Sequence, residues 1–129
     1  MQKALKDAGM NSDDIDYINA DGQSSIQADR AETTAIKRVF GEQAKDVFIS
    51  STKSMMGHLL CASAAVEIII ALLCIQNGVV PPTINNDNVD ENCDLNYTAN
   101  VALQEKVDTV MSNSYGLGGE NVSLIVKRY

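Results

Sequence analysis

Lys53 and His58 are separated by Ser-Met-Met-Gly, and Glu67 follows inside a run otherwise built from apolar residues, HLLCASAAVEIIIALLCIQNG. An ammonium, an imidazole and a carboxylate so placed describe a polar site within an apolar shell. An unpaired carboxylate is costly in such surroundings, and Lys53 is the nearest cation in sequence, so a Lys53–Glu67 pair beside a histidine is expected. His58 stands at or just before the first turn of the helix that the run predicts. Burial and the positive end of the helix dipole both disfavour imidazolium, so a neutral ring able to donate to a carbonyl oxygen is expected. A structural histidine or helix cap would account for His58 taken alone.

Two further stretches could carry chemistry. YINADGQSS places Asp21-Gly22 after a strand-like alternation, which reads either as a turn or as an acid at the mouth of a site. YGLGGEN has glycines at 116, 118 and 119 that permit positive φ and close backbone approach. Its N–H groups could face a ligand oxygen, or Leu117 could swing, and a tight β-turn explains it equally well. The GxGxxG spacing is missing and the segment leads into a strand, so it is not a dinucleotide fingerprint.

The elements that must position these residues alternate. The pattern predicts a helix over 2–8 closed by Gly9, a strand over 15–19, a helix over 28–40 ended by Gly41, and a strand over 47–50. A long helix follows over 58–76 and stops at Asn77-Gly78. Pro81-Pro82 and the Asn/Asp-rich TINNDNVDENCD form loops, and β-like segments over 109–114 and 122–127 flank the glycine turn. The class is mixed α/β, one domain over 1–129.

The helix after His58 is apolar on nearly every face and must be covered by protein or lipid. Its apolar run is at the short limit of the roughly 17–25 residues that a membrane span needs, and Glu67 sits in the middle, so protein is expected and no span. The remaining elements could sheathe one side of it only. A second layer or a partner is therefore expected on the other.

A net charge of −7 with ten Lys plus Arg argues against a nucleic-acid partner, which requires a clustered basic face. Cys61, Cys74 and Cys93 are odd in number and far apart, with no CxxC or metal spacing. They fit a reducing, cytoplasmic setting and no metal site.

STKSMMGHLL, the Ala-rich helix with Glu67, VVPPTIN, CDLNY and NSYGLGGEN together resemble, in order, the C-terminal half of the β-ketoacyl-acyl-carrier-protein synthases, most closely the synthase II type. YINADGQSS, Asp29, Glu32 and AIKRVFG resemble the same family's segment around its first catalytic histidine. The resemblance implies a thiolase-like fold of two similar halves, in which this chain supplies the second half: a mixed sheet of about four to five strands with a buried apolar helix. The nucleophilic cysteine then belongs to the first half of the fold, and none of the three cysteines here matches it. The reaction implied is a decarboxylative Claisen condensation in fatty-acid or polyketide synthesis. It needs no cofactor beyond the phosphopantetheine arm of the acyl carrier protein that delivers the substrate. The partners implied are that carrier protein, the first half of the fold, and a second subunit in a homodimer or heterodimer.

By motif, His58 corresponds to the family's second histidine, Lys53 to the lysine that organises the site, and Glu67 to its acidic partner. Gly116, Leu117 and Gly118 correspond to the gate beside the nucleophile, with Leu117 where the family usually has Phe, and Ser25 to a hydroxyl that contacts the pantetheine arm. The departure lies in the segment that normally reads NAHGTST: Asp21 takes the place of the first catalytic histidine and Gln23 that of the first threonine. An ionised Asp beside a developing enolate would cost about 4 kcal/mol at an effective dielectric near 20, roughly a thousandfold in rate. Three readings follow: a working or weakened condensing enzyme, a non-catalytic partner subunit resembling the chain-length factors of polyketide ketosynthases, or a degenerate synthase. In each, the 129 residues alone are expected to catalyse no condensation.

Overall fold

The computed structural model describes all 129 residues. Helix α1 (Gln2–Ala8) ends at Gly9, whose left-handed backbone lets its N–H reach the carbonyls of Leu5 and Lys6. Strand β1 (Tyr17–Asn19) follows, then helix α2 (Ile26–Phe40), strand β2 (Phe48–Ser50) and a single turn of helix, α3 (Lys53–Met56). Helix α4 (Ser63–Asn77) closes at the left-handed Gly78 and runs into β3 (Val79–Val80), which pairs antiparallel with β4 (Leu103–Gln104). Strands β5 (Thr109–Tyr115) and β6 (Asn121–Lys127) complete the main sheet, ordered β2-β1-β5-β6.

β1 is parallel to both β2 and β5, and β6 returns antiparallel beside β5. A parallel centre must be covered on both faces, and alternate side chains of a strand point to opposite faces. Ile18 accordingly packs with Leu5, Ile36, Phe40, Ile49 and Met111 on the side of α1 and α2. Tyr17 packs with Ala71, Cys74, Ile75, Val107 and Val110 on the side of α4.

Helix α4 is covered on one side only. Ser63, Glu67, Ala71, Cys74 and Ile75 are buried, while Ile69, Leu72 and Leu73 remain 57%, 49% and 48% exposed. The segment Leu60–Asn77 is long and apolar enough to cross a membrane by length and composition, yet Glu67 at its middle is turned inward and fully buried.

Three element starts differ from the sequence expectation by two residues or more. α4 begins at Ser63 rather than at residue 58, because Leu60 takes a left-handed φ of 52° and Leu60–Ala62 form a 3-10 turn. α2 begins at Ile26, and β1 is shortened to Tyr17–Asn19, with Ile15 still in the core.

Candidate functional site

β1 and β2 run side by side with Asn19 opposite Ser50, so the chain leaving each strand emerges at the same sheet edge. Asp21 follows β1 and Lys53 opens α3 just after β2. Lys53 Nζ donates to Asp21 Oδ1 at 3.1 Å and to Glu67 Oε1 at 2.7 Å. Side-chain exposures are 4% for Lys53, 4% for Asp21 and 0% for Glu67. One ammonium thus bridges two buried carboxylates, three elements meeting at a point.

Asp21 is therefore a paired acid set behind the cleft, not an acid at its mouth. Its other oxygen, Oδ2, accepts from Gln23 Nε2 at 2.6 Å. Each of its oxygens thus accepts from a side-chain donor. Its backbone is fixed by Glu32, whose carboxylate accepts the N–H groups of Asp21 at 3.1 Å and Gly22 at 3.0 Å and the Asn113 amide at 3.1 Å. Burial pushes the Glu32 carboxyl above the ordinary carboxylate range, against the three hydrogen bonds that pull it down.

Gly22 is required where it sits. Its φ is 41°, and a Cβ there would lie 2.5 Å from Ser51 Cβ. Ser51 Oγ uses the approach to donate to the Gly22 carbonyl at 3.0 Å.

His58 is exposed and precedes a 3-10 turn, correcting the expectation of a buried ring at the first turn of the long helix. Its chemistry is fixed by hydrogen bonds instead. Nδ1 accepts the Leu60 backbone N–H at 3.1 Å and also meets Ser63 Oγ at 3.1 Å. Ser63 Oγ in turn accepts the Leu59 N–H at 3.0 Å, which leaves its hydroxyl hydrogen for Nδ1. A ring nitrogen that accepts cannot carry the proton, so the network assigns neutral His58 a hydrogen on Nε2. Ser63 was not among the residues read from the sequence; its spacing from His58 shows its role only once the turn between them is known.

Lys53, His58 and Gln23 line one cleft of about 570 Å³, together with Gly22, Asp29, Ser51 and Ser54. The opposite wall is the Asn/Asp-rich loop, including Asn85, Asp90 and Cys93. That wall is tied to α2 by the two-pronged Arg30–Asp90 pair, by Lys37–Asp94, and by a 2.6 Å bond between Thr33 and Tyr97 hydroxyls. Asp21 and Glu67 lie behind Lys53 and do not line the cleft; Ser25 is exposed at the start of α2, also outside it.

Gly116, Leu117 and Gly118 are not brought to the cleft. They form the β5–β6 turn, with Leu117 fully exposed. Only Gly119 uses positive φ, at 87°; a Cβ on Gly116 or Gly118 would meet the Glu120 carboxylate at 2.7 Å or 2.8 Å, the free end of an exposed side chain that can move aside. Cys61 is exposed and Cys74 is buried, its thiol pushed up to about 11 by desolvation.

Comparison with known proteins gives a consistent set of matches. Residues 1–87 match the family described as the β-ketoacyl synthase, C-terminal domain. A 3-oxoacyl-[acyl-carrier-protein] synthase 2 of Coxiella burnetii is 49% identical over 99% of this chain, which spans 31% of that relative, about a third of its length. A solved type II polyketide synthase acyl-carrier protein in complex with its ketosynthase bound to the hexaketide aligns with TM-score 0.96 and 38% identity, over 99% of this chain and 31% of that one. The ishigamide ketosynthase/chain length factor aligns with TM-score 0.95 and 36% identity, again over 99% and 31%.

Proposed function

The chain belongs to the β-ketoacyl synthase C-terminal domain family, and we propose that it supplies the second half of a condensing site for malonyl- and acyl-carrier protein. The fold is that of the ketosynthases, and relatives named as a 3-oxoacyl-[acyl-carrier-protein] synthase and as a ketosynthase support a condensing role. The observation that carries the finer reading is the hydrogen-bonding of His58. Two donors at Nδ1 leave Nε2–H as the ring's own donor, at the wall of a cleft that Lys53 also lines. A neutral donor is what an oxygen gaining negative charge needs.

In the reaction proposed, the acyl group rests on a cysteine supplied by the first half of the fold. The bond between the malonyl carboxyl carbon and the α-carbon breaks, carbon dioxide leaves, and the electron pair becomes an enolate with its charge on the thioester oxygen. His58 Nε2–H stabilises that oxygen. The enolate carbon attacks the acyl thioester, and the cysteine thiolate departs. Lys53, buried between two carboxylates, holds the floor of the site. The carrier protein's pantetheine arm enters the cleft with no further cofactor, and the isolated chain catalyses no condensation.

The test joins this chain to the first half of the fold and supplies malonyl-carrier protein with an acyl-carrier protein. A β-ketoacyl product two carbons longer supports the reading, and turnover by the 129 residues alone would sink it. Asp21 in place of a histidine favours a second reading, a partner subunit of the chain-length-factor kind. An inert residue at the nucleophile position of the first half, with no product formed, selects that reading.

A further inference from the structure

Where the family pattern has a histidine and then a threonine, this chain has Asp21 and then Gln23, and the two are bonded to each other at 2.6 Å. Asp21 is 3% exposed and does not line the cleft, whereas Gln23 does, on the same cavity as His58. The atoms presented to a substrate at this position are thus those of Gln23. Its amide orientation is set from behind: the Asp21 carboxylate, fixed by Lys53 at 3.1 Å, accepts one Nε2–H. Holding Nε2 against a carboxylate excludes the flipped amide, and a second Nε2–H remains.

We propose that Gln23 is the second neutral donor to the malonyl thioester oxygen, with Asp21 as its positioning residue. The pair does jointly what a single imidazole would do: a buried anion orients, and an uncharged amide touches the substrate. This eases the difficulty of an anion facing an enolate, because Asp21 shares the Lys53 ammonium with Glu67 and the Gln23 amide stands between its carboxylate and the cleft. Side-chain amides serve as oxyanion donors, and losing one such donor lowers kcat by roughly 100- to 1,000-fold. During decarboxylation no proton leaves Gln23; its N–H shortens its bond to oxygen as the carbon–carbon pair moves there and carbon dioxide departs.

This inference rests on the condensing function proposed above, and the experiment separates the two. Carbon dioxide release from malonyl-carrier protein is measured on the assembled protein and on Gln23→Met, Gln23→Glu, Asp21→Ala and the Asp21→Ala/Gln23→Met double variant. Gln23 is exposed but is the donor to buried Asp21 Oδ2, so both Gln23 variants should lower the melting temperature by a few degrees yet remain folded at the assay temperature. The expected result is a fall in kcat of roughly 100-fold or more for both Gln23 variants with KM within threefold. Asp21→Ala should lower kcat in the same way, and the double variant should fall no further than the worse single, since the two residues act as one unit. Unchanged kcat in Gln23→Met, or additive losses in the double variant, overturns the inference while leaving the condensing function standing. No carbon dioxide release by the unsubstituted protein overturns the function itself, and the donor assignment with it.

Discussion

Lys53 Nζ and Glu67 Oε1 meet at 2.7 Å, with neither side chain more than 4% exposed. The pair joins the segment after β2 to the middle of α4, and it is the reason an acid can lie in the apolar run. Removing the cation leaves two buried carboxylates, Asp21 and Glu67, facing each other without compensation. Lys53→Met should therefore cost about 3–5 kcal/mol, read from the urea midpoint and slope. A loss under about 1 kcal/mol would show that the pair contributes little beyond what apolar packing supplies.

His58 should separate stability from activity. Its ring is exposed, so His58→Ala should change unfolding free energy by about 0.5 kcal/mol or less. Decarboxylation by the assembled protein should fall by roughly 100- to 1,000-fold. Ser63→Ala, which removes one of the two donors at Nδ1, should give a smaller loss in kcat with KM little changed.

Glu32 predicts a pH dependence. Its carboxyl is raised above its ordinary 4.5 by burial, so the folded chain binds that proton more tightly than the unfolded chain does. The stability this contributes is complete below pH 4.5 and is lost as pH rises through the higher folded value. Glu32→Gln should remove that loss and flatten the decline above pH 4.5, at a cost of about 1–3 kcal/mol because its NH2 must face an N–H donor that a carboxylate oxygen now accepts. Urea midpoints taken across pH 4 to 8 in both proteins provide the comparison, and parallel profiles would refute the assignment.

At Gly22 the backbone itself is the constraint. Gly22→Ala combines a left-handed φ of 41° with a Cβ pressed to 2.5 Å from Ser51 Cβ. It should destabilise by about 2 kcal/mol or more. Gly9→Ala, whose added Cβ meets nothing within 4 Å, should lose less and serves as the control.

The open side of α4 predicts self-association. Ile69 and Leu72 are exposed large side chains on one apolar helix, so the isolated chain should sediment above monomer mass at micromolar concentration. Ile69→Lys with Leu72→Lys should shift it toward monomer. Unaltered sedimentation would place the contact on another surface.

Most of the elements were legible because their patterns are local. The alternation YIN, the helical spacing of Ile36 and Phe40 and the left-handed caps Gly9 and Gly78 each mark their own element. The break at Leu60 was not legible, because nothing in a run of apolar residues announces a positive φ. It moved His58 from a buried helix end to an exposed turn. The pairing of Lys53 with Asp21 depends on β1 and β2 lying in parallel register, Asn19 against Ser50, a relation between distant segments that no single stretch carries. The sequence named Lys53 and Glu67 as partners from cost alone; it could not show that Asp21 shares the same ammonium or that Gln23 stands in front of it.

The order of strands in the sheet bears on how the chain is made. β1 sits between β2 and β5, Tyr17 facing Phe48 on one side and Val110 on the other, and the Met1 amine reaches across to Ser123. On a ribosome, α1, α2 and the β1–β2 pair emerge early, but the second edge of β1 stays open until β5 and β6 have been synthesised. Such late, long-range closure makes folding slow and leaves Tyr17 and its buried neighbours uncovered meanwhile. The nascent chain should hold the binding site of a chaperone until its last hairpin arrives.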